Sequence, residues 1–367
     1  MESSVLHSLQ HILNLILLVL STYLIYSTAM ALKGFRNLPR SNNKCHGRVS
    51  VIIPARNEQS NIGECLRAIL DQLKEEDEVI VVDDSSEDST FEVALRSCDC
   101  RCKLVKLLCK PPDWTGKSWA CYLGYLHSTG DVLIFIDADT IVRYGGINAI
   151  CSLLERFDAV SQVPWIKCET LSCGAVEVAF TSLLRLTYPY WINKPSKSWL
   201  AGAFMAWRRN SYEEIGTHWI VRNSLVEDAD LGKIASESGL SVSFFYAKYA
   251  QSTWVSSWRE SLITLQRILS VRAPSKATAL LLLMLFSAVS LFTYLMPLLV
   301  TYGLVNPTIG VVYVISTFGY ASLSLHEIDM NPLSLFLAPI GLIIVGFSLF
   351  MARHGKIIWK GRELCTN

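Results

Sequence analysis

The chain has 367 residues, 51% of them hydrophobic and only 18% charged, with a formal net charge of +1. That is too apolar for an ordinary soluble enzyme, so part of the chain belongs in a membrane. A balanced charge without any long basic run excludes nucleic acid as a partner. Its 11 cysteines are odd in number and irregular in spacing, so they outline no disulfide framework and fit a reducing compartment.

Leu6 to Leu32 is apolar and long enough to span a bilayer, which makes residues 1–35 an N-terminal transmembrane helix. A signal peptide carries its positive charges ahead of the apolar stretch. Here Lys33, Arg36, Arg40, Lys44 and Arg48 follow it, and by the positive-inside rule they place the next domain in the cytoplasm of a multi-pass protein of the cell membrane.

From residue 48 to 255 short apolar runs alternate with amphipathic ones. Strands are expected at 49–53, 78–82, 103–108 and 131–136, and helices at 61–73, 90–97 and 117–128. That alternation predicts an α/β domain with a mostly parallel central sheet covered by helices. The run Leu133–Ile136 reads as a strand buried on both faces, and it ends in Asp137-Ala-Asp139. Ligands of open α/β sheets sit beyond the carboxyl ends of the strands. Two carboxylates one residue apart at such an end are hard oxygen ligands, suited to Mg²⁺ or Mn²⁺ held jointly with a diphosphate. A polar turn after a strand is the plainer reading of the octapeptide alone. No GxGxxG follows the first strand, so a dinucleotide fold lacks its main support. Pro54-Ala-Arg-Asn-Glu58 and Asp83-Asp84 end the first two strands instead. Three acidic or polar turns at one sheet edge imply a site for a polar, metal-bound ligand. Cys98-Asp-Cys-Arg-Cys102 lacks further ligands at metal spacing and reads as a surface turn with free thiols.

The segments Val51-Ile-Ile-Pro-Ala-Arg-Asn-Glu58, Val81-Val-Asp-Asp-Ser-Ser86, Trp114-Thr-Gly-Lys-Ser-Trp-Ala120, Asp137-Ala-Asp139 and Val226-Glu-Asp-Ala-Asp-Leu231 together resemble family 2 glycosyltransferases of the GT-A fold. More narrowly, the set is similar to the membrane-bound branch that glycosylates hopanoids, carotenoids and ceramides. The resemblance covers about residues 48 to 275 and implies roles at the matching positions. Pro54, Ala55, Asn57 and Glu58 line the nucleotide pocket, Asp83 or Asp84 contacts the base or ribose, and Lys117 lies near the diphosphate or sugar. Asp137 faces the ribose or metal shell, Asp139 is the main ligand of a Mg²⁺ or Mn²⁺ ion, and Asp228 is the catalytic base. Glu227, Gln266 and Arg267 are candidates for contacts to acceptor or diphosphate. Each also has an ordinary structural reading: Glu58 favouring a helix N-terminus, Arg56 a surface charge, Lys117 a solvated residue at a helix start.

Residues 145 to 215 are expected to face the acceptor, with a strand at 159–163 and an apolar helix at 173–190 whose Arg185 and Tyr188-Pro-Tyr-Trp191 suit a water–lipid interface. The small residues of Leu200–Ala206 let the backbone approach a sugar, or simply build a buried strand. Glu227 to Asp230 open a helix, where acids are commonplace caps, and only the family pattern makes Asp228 a base. Residues 256–276 hold an amphipathic stretch, with Trp258, Leu262, Leu265 and Leu269 on one face, apt for a membrane surface. Gln266-Arg-Ile-Leu-Ser270 lacks the Gln-x-x-Arg-Trp of processive family members, which counts against a polysaccharide synthase.

Residues 277–353 hold two to three further spans, at about 278–301, 304–324 and 332–352, followed by a basic tail at 354–367. Three full spans would leave the tail outside, against the preference of Arg353, Lys356, Lys360 and Arg362, so one stretch is re-entrant or the tail tolerates the wrong side. The expected activity is inverting transfer of one sugar from a nucleoside diphosphate sugar, UDP-linked by family resemblance, to the hydroxyl of a membrane lipid. Transfer to a polyisoprenyl phosphate is the alternative within the class, and a non-catalytic nucleotide-sugar-binding membrane scaffold the alternative outside it.

Overall fold

The computed structural model describes residues 2–35, 45–187, 200–254, 257–270, 274–352, 357–359 and 362–364. The expected interfacial cluster Tyr188–Trp191, the basic positions Arg36, Arg40, Lys44, Arg272, Arg353, Lys356 and Lys360, and part of the tail lie outside them.

Helix α1 (Glu2–Phe35) precedes the domain. The chain then runs β1 (Val49–Ala55), α2 (Ile62–Leu70), β2 (Glu78–Asp83), α3 (Thr90–Ser97), β3 (Cys102–Lys106), α4 (Gly116–Leu126) and β4 (Val132–Ile136). Next come β5 (Thr140–Val142), α5 (Gly146–Leu153), β6 (Ala159–Cys168), α6 (Leu171–Thr187), β7 (Phe204–Arg208) and α7 (Arg209–Glu214). They are followed by α8 (Glu227–Glu237), β8 (Val242–Trp254), α9 (Trp258–Ser270), α10 (Lys276–Thr301) and α11 (Pro307–Ser322). The last elements are α12 (Ser324–Glu327), β9 (Ile328–Asp329), α13 (Ser334–Met351), β10 (Ile357–Trp359) and β11 (Arg362–Leu364).

The sheet order is β3-β2-β1-β4-β7-β6-β8-β5, with β9 beside β6. The first four strands are parallel, as the alternating pattern demands. Beyond β4 the sheet is mixed, for β7 is antiparallel to both β4 and β6, while β8 is parallel to β6. Alternate residues of β1 face opposite layers: Val51 and Ile53 pack with Ile62, Leu66 and Ile69 of α2, whereas Ile52 packs with Ala120 and Cys121 of α4. Each such aliphatic side chain contributes about 1.5–3 kcal/mol by leaving water.

β5 follows β4 after only three residues yet pairs at the far edge with β8. The sheet curls to allow this. In β8 the step from Val163 to Trp165 of β6 is opposed by the step from Tyr246 to Gln251, a bulge that bends the strand. The turn Asp137–Thr140, closed by Thr140 N–H to the Asp137 carbonyl at 2.9 Å, is thereby held between the two halves of the sheet.

Among the described residues four helical stretches are long and apolar enough to cross a membrane: His7–Gly34, Lys276–Thr301, Pro307–Glu327 and Ser334–Met351. α1 lies along α11, with Asn14 Oδ1 accepting from Asn306 N–H at 3.0 Å near one end and Ala31 packed with Tyr320 and Leu323 at the other. α13 runs antiparallel to α10: Gly346 sits against Leu283 and Phe286, whereas the Phe336 carbonyl accepts from Tyr294 Oη at 2.7 Å. It also starts shortly after β9, which pairs with β6 of the α/β domain. Its far end therefore returns to the level at which α10 begins.

Two expectations need correction. The cysteines do pair in part, as disulfides Cys45–Cys151 and Cys168–Cys173. The first joins residues 106 apart in sequence, a separation that only the fold brings to a Cα distance of 5.1 Å. Cys98, Cys100 and Cys102 remain free thiols, as read. Among the described residues the amphipathic helix covers Trp258–Ser270, and its Leu265 is fully buried against Val176, Ala179 and Val345, so its apolar face serves packing on α6 and α13.

Candidate active site

A cleft of about 540 Å³ opens where the carboxyl ends of β1, β2 and β4 meet the turn before β7 and the start of α8. Pro54, Ala55, Arg56 and Glu58 line it from the first turn, Asp84 from the second, and Asp137 and Asp139 from the third. Lys117, Glu227 and Asp228 close the opposite wall, and Arg267 enters from α9. Asn57, Asp83 and Gln266 are not part of the lining.

The first two turns are built on each other. Asn57 adopts a left-handed backbone, φ 53°, which asparagine tolerates better than most residues. Its N–H donates to Ser86 Oγ at 3.0 Å, and its side-chain oxygen accepts from Glu87 N–H at 2.9 Å. Asn57 is thus a brace between turns rather than a wall of the cleft. Arg56, read as a surface charge, donates instead to the Asp84 carbonyl at 2.7 Å. Asp83 is 1% exposed; its Oδ1 accepts from Ser86 N–H at 3.3 Å, and its Oδ2 has no hydrogen-bond partner. A buried carboxylate oxygen without a donor among the described residues is costly, about 1–3 kcal/mol, and Asp83 lies behind the cleft wall rather than in it.

Lys117 reaches across the floor. Its Nζ lies 2.8 Å from Asp137 Oδ1 and 2.9 Å from Glu227 Oε1. Burial opposes its charge, but the facing carboxylates of Asp137, Glu227 and Asp228 outweigh burial and hold its pKa well above the ordinary lysine value. Its nearest partners are therefore acidic side chains of the chain itself, a bridge between the Asp137 turn and α8.

Asp228 is fixed by two backbone donors: Ala229 N–H to Oδ1 at 2.8 Å, and Gly202 N–H to Oδ2. Burial foremost, then the neighbouring Glu227 charge, pushes its carboxyl up to about 6, against the lowering effect of Lys117 and the two N–H groups. Gly202 was not singled out from the sequence. A Cβ there would stand 2.8 Å from Lys117 Nζ and 2.9 Å from Asp228 Oδ2, so the small residue lets the loop approach these side chains. β7 itself begins only at Phe204, so of the two readings of Leu200–Ala206 the buried strand holds only for its last three residues.

Among the described residues no group of three or more His, Cys, Asp or Glu side chains is arranged to hold a metal ion alone. The donor chemistry present fits a shared ion. Asp137 and Asp139 give two hard carboxylates on one turn, and burial followed by the Asp139, Asp137 and Glu58 charges drives the nearby Cys65 thiol far above its usual range. Such a concentration of negative charge suits a divalent cation whose remaining ligands come from phosphate and water.

A curled mixed sheet with an acidic crevice at its strand ends is the GT-A arrangement. The structure of a mannosyltransferase from Pyrobaculum calidifontis, in complex with GDP-Man and Mn²⁺, superposes on 93% of this chain and all of that one with a TM-score of 0.53 at 18% identity. Residues 50–227, just under half of the chain, match the family model described as Glycosyl transferase family 2. A 4,4'-diaponeurosporenoate glycosyltransferase from Staphylococcus haemolyticus is 38% identical over 109 residues, 30% of this chain and 28% of that protein. The probable glycosyltransferase YdaM of Bacillus subtilis is 27% identical over 239 residues, 61% of this chain and 56% of its own length. The chain thus matches between about a quarter and just over half of these relatives' lengths.

Proposed function

We propose that this protein transfers one sugar from a nucleoside diphosphate sugar to the hydroxyl of a membrane lipid, with inversion at the anomeric carbon. The observation that carries the reading is Asp228: a carboxyl facing the cleft, oriented by two N–H groups, with its pKa pushed up to about 6. Near neutral pH it is ionised yet basic enough to take a proton from an attacking hydroxyl, a contribution typically worth about 10²–10⁴-fold. Attack from the face opposite the leaving group is a single displacement and inverts the centre. Asp139, with Asp137, would hold a Mg²⁺ or Mn²⁺ ion, which neutralises charge developing on the departing diphosphate. Asp84 would receive the nucleoside, with Asp83 holding the turn behind it through Ser86 N–H; Pro54, Ala55 and Glu58 would line its surroundings, and Lys117 would keep the Asp137 turn and α8 at a fixed separation.

A lipid acceptor is supported by the candidate spans around the domain and by the printed name of the Staphylococcus relative, whose acceptor is an apolar carotenoid acid. The second reading, a polyisoprenyl phosphate acceptor, is favoured by Arg267 in the cleft. The basic residues after α1 support a cytoplasmic domain in a multi-pass membrane protein. The antiparallel course of α13 supports a re-entrant last helix and a tail on the same side. Disulfides are rare in that compartment, so orientation has its own test: a membrane-impermeant maleimide should label the exposed Cys100 and Cys109 only after permeabilisation, and labelling of intact cells would reverse the orientation.

The reaction is tested with purified protein in detergent, Mg²⁺ or Mn²⁺, and radiolabelled UDP- and GDP-sugars presented to total lipid extract. Label in lipid that disappears with Asp228→Asn is the expected result. Donor that is bound but not consumed would return the chain to the non-catalytic nucleotide-sugar-binding scaffold reading, and donor neither bound nor consumed would defeat both.

A further inference from the structure

The cleft has a second end that the donor chemistry does not use. Val163 and Ile166 of β6, Phe244 of β8, Phe180 and Leu184 of α6 and Ile268 of α9 make it apolar. α6 and α9 in turn pack on the apolar helix α13 through Val176, Ala179, Leu265 and Val345. One ionisable side chain of α6 stands in this lining. Glu177 is 2% exposed, on the helix face it shares with Phe180, Thr181 and Leu184, and its Oε2 has no hydrogen-bond partner among the described residues.

An unpartnered carboxyl at such a place costs stability, since a buried polar group without a partner is unfavourable by about the price of a lost hydrogen bond. A leucine would fill the same volume at no such cost. Burial alone pushes the Glu177 carboxyl up to about 8, so at neutral pH it keeps its proton and offers one O–H donor and one carbonyl acceptor. Those are the complements of an alcohol, an ether or an ester. A phosphate dianion would meet at Glu177 a group that resists ionisation and adds no positive charge, and Arg267 of α9, beside Ile268, is the cation of the lining that such a phosphate would have to reach instead.

We propose that Glu177 binds an uncharged polar atom of the acceptor's head group, and thereby selects a neutral lipid alcohol over a lipid phosphate. The inference rests on the glycosyltransferase reading and specifies its acceptor class. Glu177 is a specificity-determining contact at the apolar end, separate from Asp228 and the acidic turns.

The test separates total lipid extract on an anion exchanger into uncharged and anionic fractions, each offered with radiolabelled donor to the full-length protein in detergent. The wild type should label the uncharged fraction. Glu177→Leu should raise the half-saturating concentration of that fraction about tenfold or more, with donor affinity unchanged and the melting temperature not lowered. Glu177→Gln, which keeps a donor and an acceptor, should retain most of the transfer. A purely structural role predicts the opposite for Glu177→Leu: altered stability and an unaltered half-saturation, and that result overturns the proposal. Label confined to the anionic fraction also overturns it while leaving the glycosyltransferase reading intact. No donor turnover by the wild type under any condition defeats the underlying reading and the proposal with it.

Discussion

Replacing Asp228 by Asn should remove activity and raise stability together. In the folded protein the carboxyl is pushed from its ordinary value of 3.8 up to about 6, burial being the first cause and Glu227 the second. At about 1.36 kcal/mol per pKa unit, the shift of roughly two units corresponds to ~3 kcal/mol by which folding disfavours the ionised form. Because the folded pKa is raised, the folded state binds the proton more tightly than the unfolded chain. Stability therefore falls as pH rises from about 4 through 6, and the deficit is fully present at pH 7 and above. Asn never ionises, but its single amide oxygen can accept from only one of the Gly202 and Ala229 N–H groups, which donate to different oxygens of Asp228, so one of the two bonds is lost. Relative to wild type it should be less stable by about 1 kcal/mol at pH 4, for the lost hydrogen bond, and more stable by up to ~2 kcal/mol at pH 7.5, a few degrees in melting temperature for a domain of this size. Thermal unfolding in detergent with EDTA at the two pH values measures this, and turnover of labelled donor should drop by about 10²–10⁴-fold. A variant that is less stable than wild type at pH 7.5, or that turns over near-normally, would refute the assignment of a strained, buried base.

Gly202→Ala should cut transfer by at least tenfold while leaving the fold intact, because the added Cβ meets Lys117 Nζ and Asp228 Oδ2 under 3.0 Å; steady-state kinetics beside a circular dichroism spectrum separates the two effects. Asp139→Ala should weaken donor binding chiefly when Mn²⁺ is present, read by calorimetry with and without the ion. Glu78, accepting from Ser50, Thr129 and Lys103, has its pKa lowered to about 2 because these bonds together outweigh burial. A depressed carboxylate stabilises the fold above its unfolded pKa and loses that contribution as pH falls from about 4.5 through 2, so Glu78→Gln should cost about 3 kcal/mol at pH 7 and little at pH 2, measured by unfolding against pH. Arg185, fully buried, pairs with the fully buried Glu327 and bonds Ser324 Oγ at 3.1 Å. Arg185→Met should destabilise by about 3–5 kcal/mol, and adding Glu327→Leu should restore much of the loss; melting temperatures of the two variants decide.

The parallel half of the sheet, its covering helices and the three acidic turns follow from local sequence. Buried strands such as Leu133–Ile136 announce themselves by continuous apolar runs, and the turns by what ends those runs. The membrane-length helices follow from composition over a long window. What local sequence does not encode is which distant groups meet. Lys117 carries no mark of its two carboxylate partners, which lie 20 and 110 positions further along the chain. Gly202 looks like any small residue of a buried strand until its loop is set against Asp228. Asn57 falls inside a pocket motif but braces two turns, because its left-handed backbone aims it away from the cleft. Asp228 and Glu177 occupy helical positions where an acid is ordinary, and only enclosure by segments far apart in sequence raises their pKa values. The sequence by itself determined the elements and the edge at which ligands gather, since both depend on neighbours a few residues away. The tertiary structure decided which carboxyls are buried, which are paired and which stand alone, because desolvation and Coulomb energy depend on distances that only the curled sheet brings about.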